Sequence, residues 1–130
     1  MAHQQMFDDD DPILVRVREL ALALPEADEK VSHGRPAFFT KKVFCIYGGA
    51  RKIDEEWMQH PQAVLVQVTE DERHALVQDP RVFVPAYWGP SGWVGLDLDD
   101  TTDWGEVAEL LEESFRLTAP KRAITALDAN

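Results

Sequence analysis

The period of the hydrophobic positions changes several times along the chain, and each change marks an element. Ile13, Val17, Leu20 and Leu24 recur at helical spacing, and Leu14 and Ala21 widen the stripe. Asp10 or Asp11 can cap this helix, Pro12 suits its first position, and Pro25 stops it. Ala37 to Thr40 and Val43 to Tyr47 are rich in aromatic and β-branched residues, which predicts a hairpin with the tip Thr40-Lys41-Lys42. Gly48 and Gly49 are read as breaking its second strand. Ala63 to Val68 predicts another strand, with Val64, Val66 and Val68 on one face. Thr69 and Glu72 form a capping box for a short helix from Glu70 to about Gln78, ended by Asp79-Pro80. Val82 to Trp88 and Trp93 to Leu98 flank Gly89-Pro90-Ser91-Gly92, a second hairpin signal. Asp103 and Glu106 cap the strongest helical pattern of the chain: Val107, Leu110, Leu111, Ser114, Phe115 and Thr118. Pro120 opens a last helix to about Leu127.

Strands joined by tight hairpins are antiparallel, and helices gathered at both ends of the chain cover one face of their sheet. The expected fold is a two-layer α+β sandwich with about five strands. Residues 1–10 are expected to be a disordered acidic leader and 11–128 a single domain, a size that buries a core without staples.

Composition narrows the setting. The single cysteine, Cys45, excludes an internal disulfide and a Cys-rich zinc site. No apolar run is long enough to span a bilayer, and the aspartates at 8–11 do not suit a signal peptide, so a cytoplasmic protein without a membrane partner is expected. A net charge of −11 opposes nonspecific binding to polyanions. The charge is unevenly distributed, however. Lys30 to Ile53 contains no acid yet holds Lys30, Arg35, Lys41, Lys42, Arg51 and Lys52. Ser114 to Leu127 also lacks acids and holds Arg116, Lys121 and Arg122. If these stretches converge, the domain carries one positive face on a negative body.

Several fragments, in order, carry a family resemblance. Leu24-Pro25-Glu26-Ala27, His33-Gly34-Arg35-Pro36-Ala37-Phe38 and Lys42-Val43-Phe44 resemble the first half of the MmcQ/YjbR family. Asp79-Pro80, Tyr87, Gly92-Trp93-Val94, Asp103-Trp104, Glu113-Ser114-Phe115-Arg116-Leu117 and Lys121-Arg122 resemble its second half. The resemblance implies a fold like that of CyaY and frataxin, a single antiparallel sheet with helices on one face. It also implies a DNA-binding role, which was proposed for the family from a paired-wing shape rather than from a known reaction. The tip Thr40-Lys41-Lys42 departs from the glycine usual there.

Candidate chemistry is sparse. Cys45 and His33 are the one Cys–His pair able to meet on neighbouring strands, but Val-Phe-Cys-Ile-Tyr reads as a buried strand. The four histidines make no metal-binding pair at helical spacing, and the aspartate run is read as a capping, solvated segment rather than a metal site. No cofactor, phosphate-loop or hydrolase signature is present, so no catalytic residue, metal or cofactor is assigned. The basic residues remain: Arg35, Lys41, Lys42, Arg51, Lys52, Lys121 and Arg122 as contacts to an anion or nucleic acid. His33, Tyr87, Trp93 and Arg116 are candidates for a pocket. Two readings stay open: a noncatalytic domain that binds DNA through a basic hairpin face, or a module for a protein or small anionic ligand with no nucleic-acid role. An enzyme with an unsigned site ranks behind both.

Overall fold

The computed structural model describes residues 5–129. Its elements are α1 (Pro12–Leu22), β1 (Asp28–Ser32), β2 (Arg35–Phe39), β3 (Val43–Ile53), β4 (Glu56–Gln67), α2 (Glu70–Leu76), β5 (Val82–Phe83), β6 (Trp93–Asp97), α3 (Trp104–Thr118) and α4 (Lys121–Asp128). The strands form one antiparallel sheet in the order β1-β2-β3-β4-β6-β5. The fold is therefore the expected α+β sandwich, with six strands instead of five.

The helices cover one face, and the main core lies between the layers. Leu14, Val17 and Ala21 of α1 and Val107, Leu110, Leu111 and Phe115 of α3 pack against Phe38, Phe44, Tyr47, Val64, Val66, Val94 and Leu96 of the sheet. Phe44 and Phe115 meet edge to face with ring centroids 5.6 Å apart, the geometry that aromatic quadrupoles favour. Helix starts follow the capping logic. Asp11 accepts from the Ile13 amide, Thr69 from Glu72, and Asp103 from Gly105 and Glu106.

Four local expectations are corrected. Helix α1 stops at Leu22, before Pro25. Strand β1 was missed, because its sequence Asp-Glu-Lys-Val-Ser is a charged edge without alternation. It pairs with β2 through the two-residue turn His33-Gly34, both in the left-handed region at φ 52° and 83°, as a type I′ turn requires. Gly48 and Gly49 do not break β3. They form a bulge at which Gly48 takes φ 86°, and the strand runs on to Ile53, paired with Glu56–His60. Finally, β5 holds only Val82 and Phe83, because Pro85 cannot continue a paired strand. The chain then crosses the sheet, with the Ala86 amide donating to the Ala50 carbonyl at 2.8 Å, and closes in a 3-10 turn at Gly89–Ser91.

These corrections shape the second face. No helix covers it. A smaller apolar cluster of Ala37, Ile46, Ala63, Leu65, Phe83 and Trp93 lies there, joined by Val43 and Trp88. Residues 49–60 extend past the β2 and β6 partners as a two-stranded ribbon. The predicted leader lies partly outside the described residues. Within them, Met6 donates its amide to the Gly34 carbonyl, and Phe7 packs against the helix-side core.

Candidate ligand-binding cleft

The helix-free face carries a cleft of about 600 Å³ where the ribbon, the His33-Gly34 turn and the 84–88 crossing meet. Its floor is the backbone of Gly48, Gly49 and Ala50 with Ile46 and Leu65; its walls include Trp57, Gln59, Tyr87 and Trp88. The two glycines let Arg35 and Leu65 pack directly on the backbone. A Cβ on Gly49 would come within 2.9 Å of Leu65 Cδ2, and one on Gly48 would collide with the Arg35 guanidinium.

Arg35 is the charged side chain of this lining. It is half-buried, and its Nη2 donates to Gln59 Oε1 at 2.8 Å. Desolvation pulls its pKa below the ordinary value, yet a guanidinium stays protonated in any protein setting. Other arginines are matched to acids: Arg18 to Glu29 and Asp9, Arg81 to Asp79 and Glu106, Arg116 to Asp128 and Glu112, and Arg122 to Glu26. Among the described residues, no carboxylate lies within ion-pair distance of Arg35.

Aromatic rings dominate the rest. Trp57 and Tyr87 stack with centroids 5.9 Å apart at 23°, and they are 49% and 83% exposed. Tyr87 is held at φ 68°, a left-handed conformation that bulky residues rarely adopt. Trp88 leans on Trp93 at 5.1 Å.

The residues named from the sequence divide among separate places. His33, Arg35 and Tyr87 meet in the cleft. Trp93 is buried behind Trp88 and supports the wall without lining it. Arg116 lies on α3 beside a separate depression of about 170 Å³ with Glu72 and Glu113. Lys41 and Lys42 are exposed at the β2–β3 tip. Arg51 and Lys52 sit at the other end of β3, roughly 25–30 Å away at about 3.3 Å per residue. Lys52 pairs with Glu55 at 3.4 Å, and Arg51 donates to Met58 Sδ. Arg122 is paired with Glu26, and its neighbour Lys121 is exposed. Arg51 and Lys52 therefore lie apart from Lys41 and Lys42, and several of the basic residues are paired with acids rather than gathered as one free basic face. Trp57, Gln59 and the clearance role of Gly48 went unread in the sequence.

Cys45 is fully buried on the helix side, and burial pushes its thiol pKa up. His33 lies on the opposite face, so the two do not meet. Asp11 spends its carboxylate on the α1 cap, Tyr47 and Gln62. Among the described residues, no three His, Cys, Asp or Glu side chains gather as a metal site, and no helix is long and apolar enough to cross a membrane.

The YjbR family model matches residues 22–117, well over half of the chain. The chain belongs to the YjbR family. The YjbR sheet and helices also superpose on the crystal structure of Deinococcus radiodurans protein DR2400, described with a DUF419 domain. That similarity has a TM-score of 0.62 and 21% identity, covering 83% of this chain and 79% of that one. At this identity the likeness shows a shared fold. No curated protein matches this YjbR sequence.

Proposed function

We propose that this YjbR domain is a noncatalytic binding module that holds a small anionic ligand in the cleft on its helix-free face. The observation that carries the reading is Arg35: a partly desolvated guanidinium, fixed by Gln59, with no carboxylate partner among the described residues of a chain with net charge −11. A planar fork of this kind takes an oxyanion in two parallel hydrogen bonds. A concave, mostly apolar lining with a few converging polar groups is the usual form of a small-molecule site.

The nucleic-acid reading draws its support from Lys41 and Lys42 at their protruding tip and from the family resemblance. Duplex binding needs several phosphates neutralised at once, and the remaining cations are dispersed or paired with acids. A mostly anionic body also repels a long polyanion more than it repels a single small anion.

The test is a panel of small organic anions titrated into the full chain and followed by amide NMR, with duplex DNA as a parallel arm. Shifts at Gly48, Gly49 and Gln59 that vanish in Arg35→Met, and persist in Lys41→Glu/Lys42→Glu, support the cleft. Salt-dependent duplex binding that Lys41→Glu/Lys42→Glu removes and Arg35→Met leaves intact would return the function to the hairpin tip.

A further inference from the structure

We propose that the ligand of the cleft is a flat aromatic ring, of one or two fused cycles, that ends in a single oxyanion. The inference rests on the anion-binding reading above and adds the chemistry of the ligand body.

Three features of the lining point to a planar ring. Gly48 and Gly49 add no side chain of their own to the floor, which otherwise offers only the apolar side chains of Ile46, Ala50 and Leu65. The walls bring three aromatic rings, Trp57, Tyr87 and Trp88, into a space of about 600 Å³, which fits a compact small molecule. The Trp57–Tyr87 stack stands largely uncovered, although large aromatic side chains normally bury most of their surface. Tyr87 also reaches this stack from a strained backbone, and such outliers persist where the surrounding structure holds a functional geometry in place.

The polar side supplies a single anchor. Arg35 has its Nη2 turned to Gln59, leaving the rest of the guanidinium for one oxyanion. His33 lies at the same rim. Lys52 is 5.9 Å from the Trp57 ring and is exposed. It is paired with Glu55 and lies outside the lining, which among the described residues holds no arginine or lysine besides Arg35. A carboxylate and a phosphate monoester share the required chemistry, and their sources are separated by experiment.

Four probes at equal ionic strength make the test: naphthalene-2-carboxylate, 2-naphthyl phosphate, the saturated decahydronaphthalene-2-carboxylate and the neutral naphthalene-2-carboxamide. Binding is read from amide and indole NMR shifts and from quenching of tryptophan fluorescence. Both aromatic anions are expected to shift Gly48, Gly49 and the Trp57 indole. The stronger of the two assigns the oxyanion, and either ranking supports the proposal. The saturated acid is expected to bind about 2- to 10-fold more weakly, the margin that aromatic pairing adds to area burial. The amide is expected to lose about tenfold or more, because it cannot form charge-assisted hydrogen bonds with Arg35. Trp57→Leu, a change at an exposed site, is expected to erase the aromatic preference while keeping the charge dependence. Equal binding of the saturated and aromatic acids at the cleft overturns the aromatic class and leaves the anion reading standing. No cleft shifts with any probe overturns both.

Discussion

The phenol of Tyr47 donates to Asp11 Oδ2 across 2.6 Å, tying the centre of β3 to the first residue of the helical layer. The same carboxylate accepts from the Ile13 amide at the start of α1 and from Gln62 on β4. Burial, and then the hydrogen bond and charge of Asp11, push the Tyr47 pKa up. Tyr47→Phe keeps the ring in the core and removes only the donor. A hydrogen bond to a charged group is worth about 1.5–3 kcal/mol, so stability is expected to fall by about 1–2 kcal/mol with an unchanged denaturant slope. Asp11→Ala removes the helix cap as well and is expected to cost more. The double variant is expected to cost less than the two singles together, because both remove the same bond.

Ser114 makes a second tie between the layers, and the sequence disguises it as part of an apolar stripe. It is fully buried on α3, donates to the Phe44 carbonyl at 2.5 Å and accepts from the Gln67 amide at 3.0 Å. Ser114→Ala barely changes volume but strands a buried carbonyl and an amide. Each unsatisfied group costs about 1–3 kcal/mol. An expected loss of about 2–4 kcal/mol, read by urea unfolding, distinguishes this from the small effect of a simple Ser-to-Ala change in a helix.

Local period is what made the helical layer readable. The stripe Val107-Leu110-Leu111-Ser114-Phe115 and the cap Asp103 specify α3 without reference to anything distant. The ribbon was hidden for the opposite reason. Its strands hold Arg51, Lys52, Glu56, Trp57, Met58 and Gln59, all partly or largely exposed, so no buried face imposes an alternation. Gly48-Gly49 looks like a break because only the fold reveals that Arg35 and Leu65 occupy the space their missing side chains leave. The cleft was half legible for the same reason. His33, Arg35 and Tyr87 carry recognisable chemistry, whereas Trp57 and Gln59 become wall residues only once β3 and β4 extend beyond the bulge.

The pairing of Glu113 with Glu72 sets a pH dependence. Glu113 on α3 faces Glu72 from α2 and has Glu109 and Glu112 on its own helix. The hydrogen bond to Glu72, then partial burial, then the three neighbouring charges raise its pKa to about 7. A carboxyl with a raised folded-state pKa keeps a proton that the unfolded chain has released, so its contribution is complete below the unfolded value and disappears as pH climbs through about 7. Relative to Glu113→Gln, the wild type is expected to lose stability between about pH 4.5 and pH 7. Asp79 moves oppositely, held at about 2 by Arg81, so its contribution is lost only under strong acid. A Tm difference between wild type and Glu113→Gln that is constant from pH 5 to pH 8 would remove the shared proton from the account.

The ribbon turn offers a stabilising change. Asp54 and Glu55 join Ile53 to Glu56 with φ of 49° and 70°, the type I′ geometry that Asn-Gly prefers. Glutamate pays about 1–2 kcal/mol for a left-handed backbone. Its ion pair with Lys52 is exposed, and such pairs contribute little. Glu55→Gly is expected to add about 1 kcal/mol of local stability, visible as slower hydrogen exchange at Arg51 and Lys52. Faster exchange there would show that the ribbon depends on the ion pair instead.

Gly48 links the backbone of the cleft to its charge, and a double-mutant cycle can separate the two contributions. Gly48→Ala forces a side chain into φ 86°, puts its Cβ about 3.3 Å from the Pro61 carbonyl, and drives it into the Arg35 guanidinium. The backbone part of the cost, about 1–2 kcal/mol, belongs to position 48 whatever sits opposite. The guanidinium part exists only while Arg35 is present. Gly48→Ala is therefore expected to cost more in the wild-type background than in Arg35→Met, with a coupling of about 0.5–1 kcal/mol. The flexible arginine relieves the clash by swinging away from Gln59, so Gly48→Ala alone is also expected to weaken anion binding to near the level of Arg35→Met. Full retention of anion binding in folded Gly48→Ala would mean that the guanidinium reaches its ligand from some other position, and that Arg35 is not the anchor of the cleft.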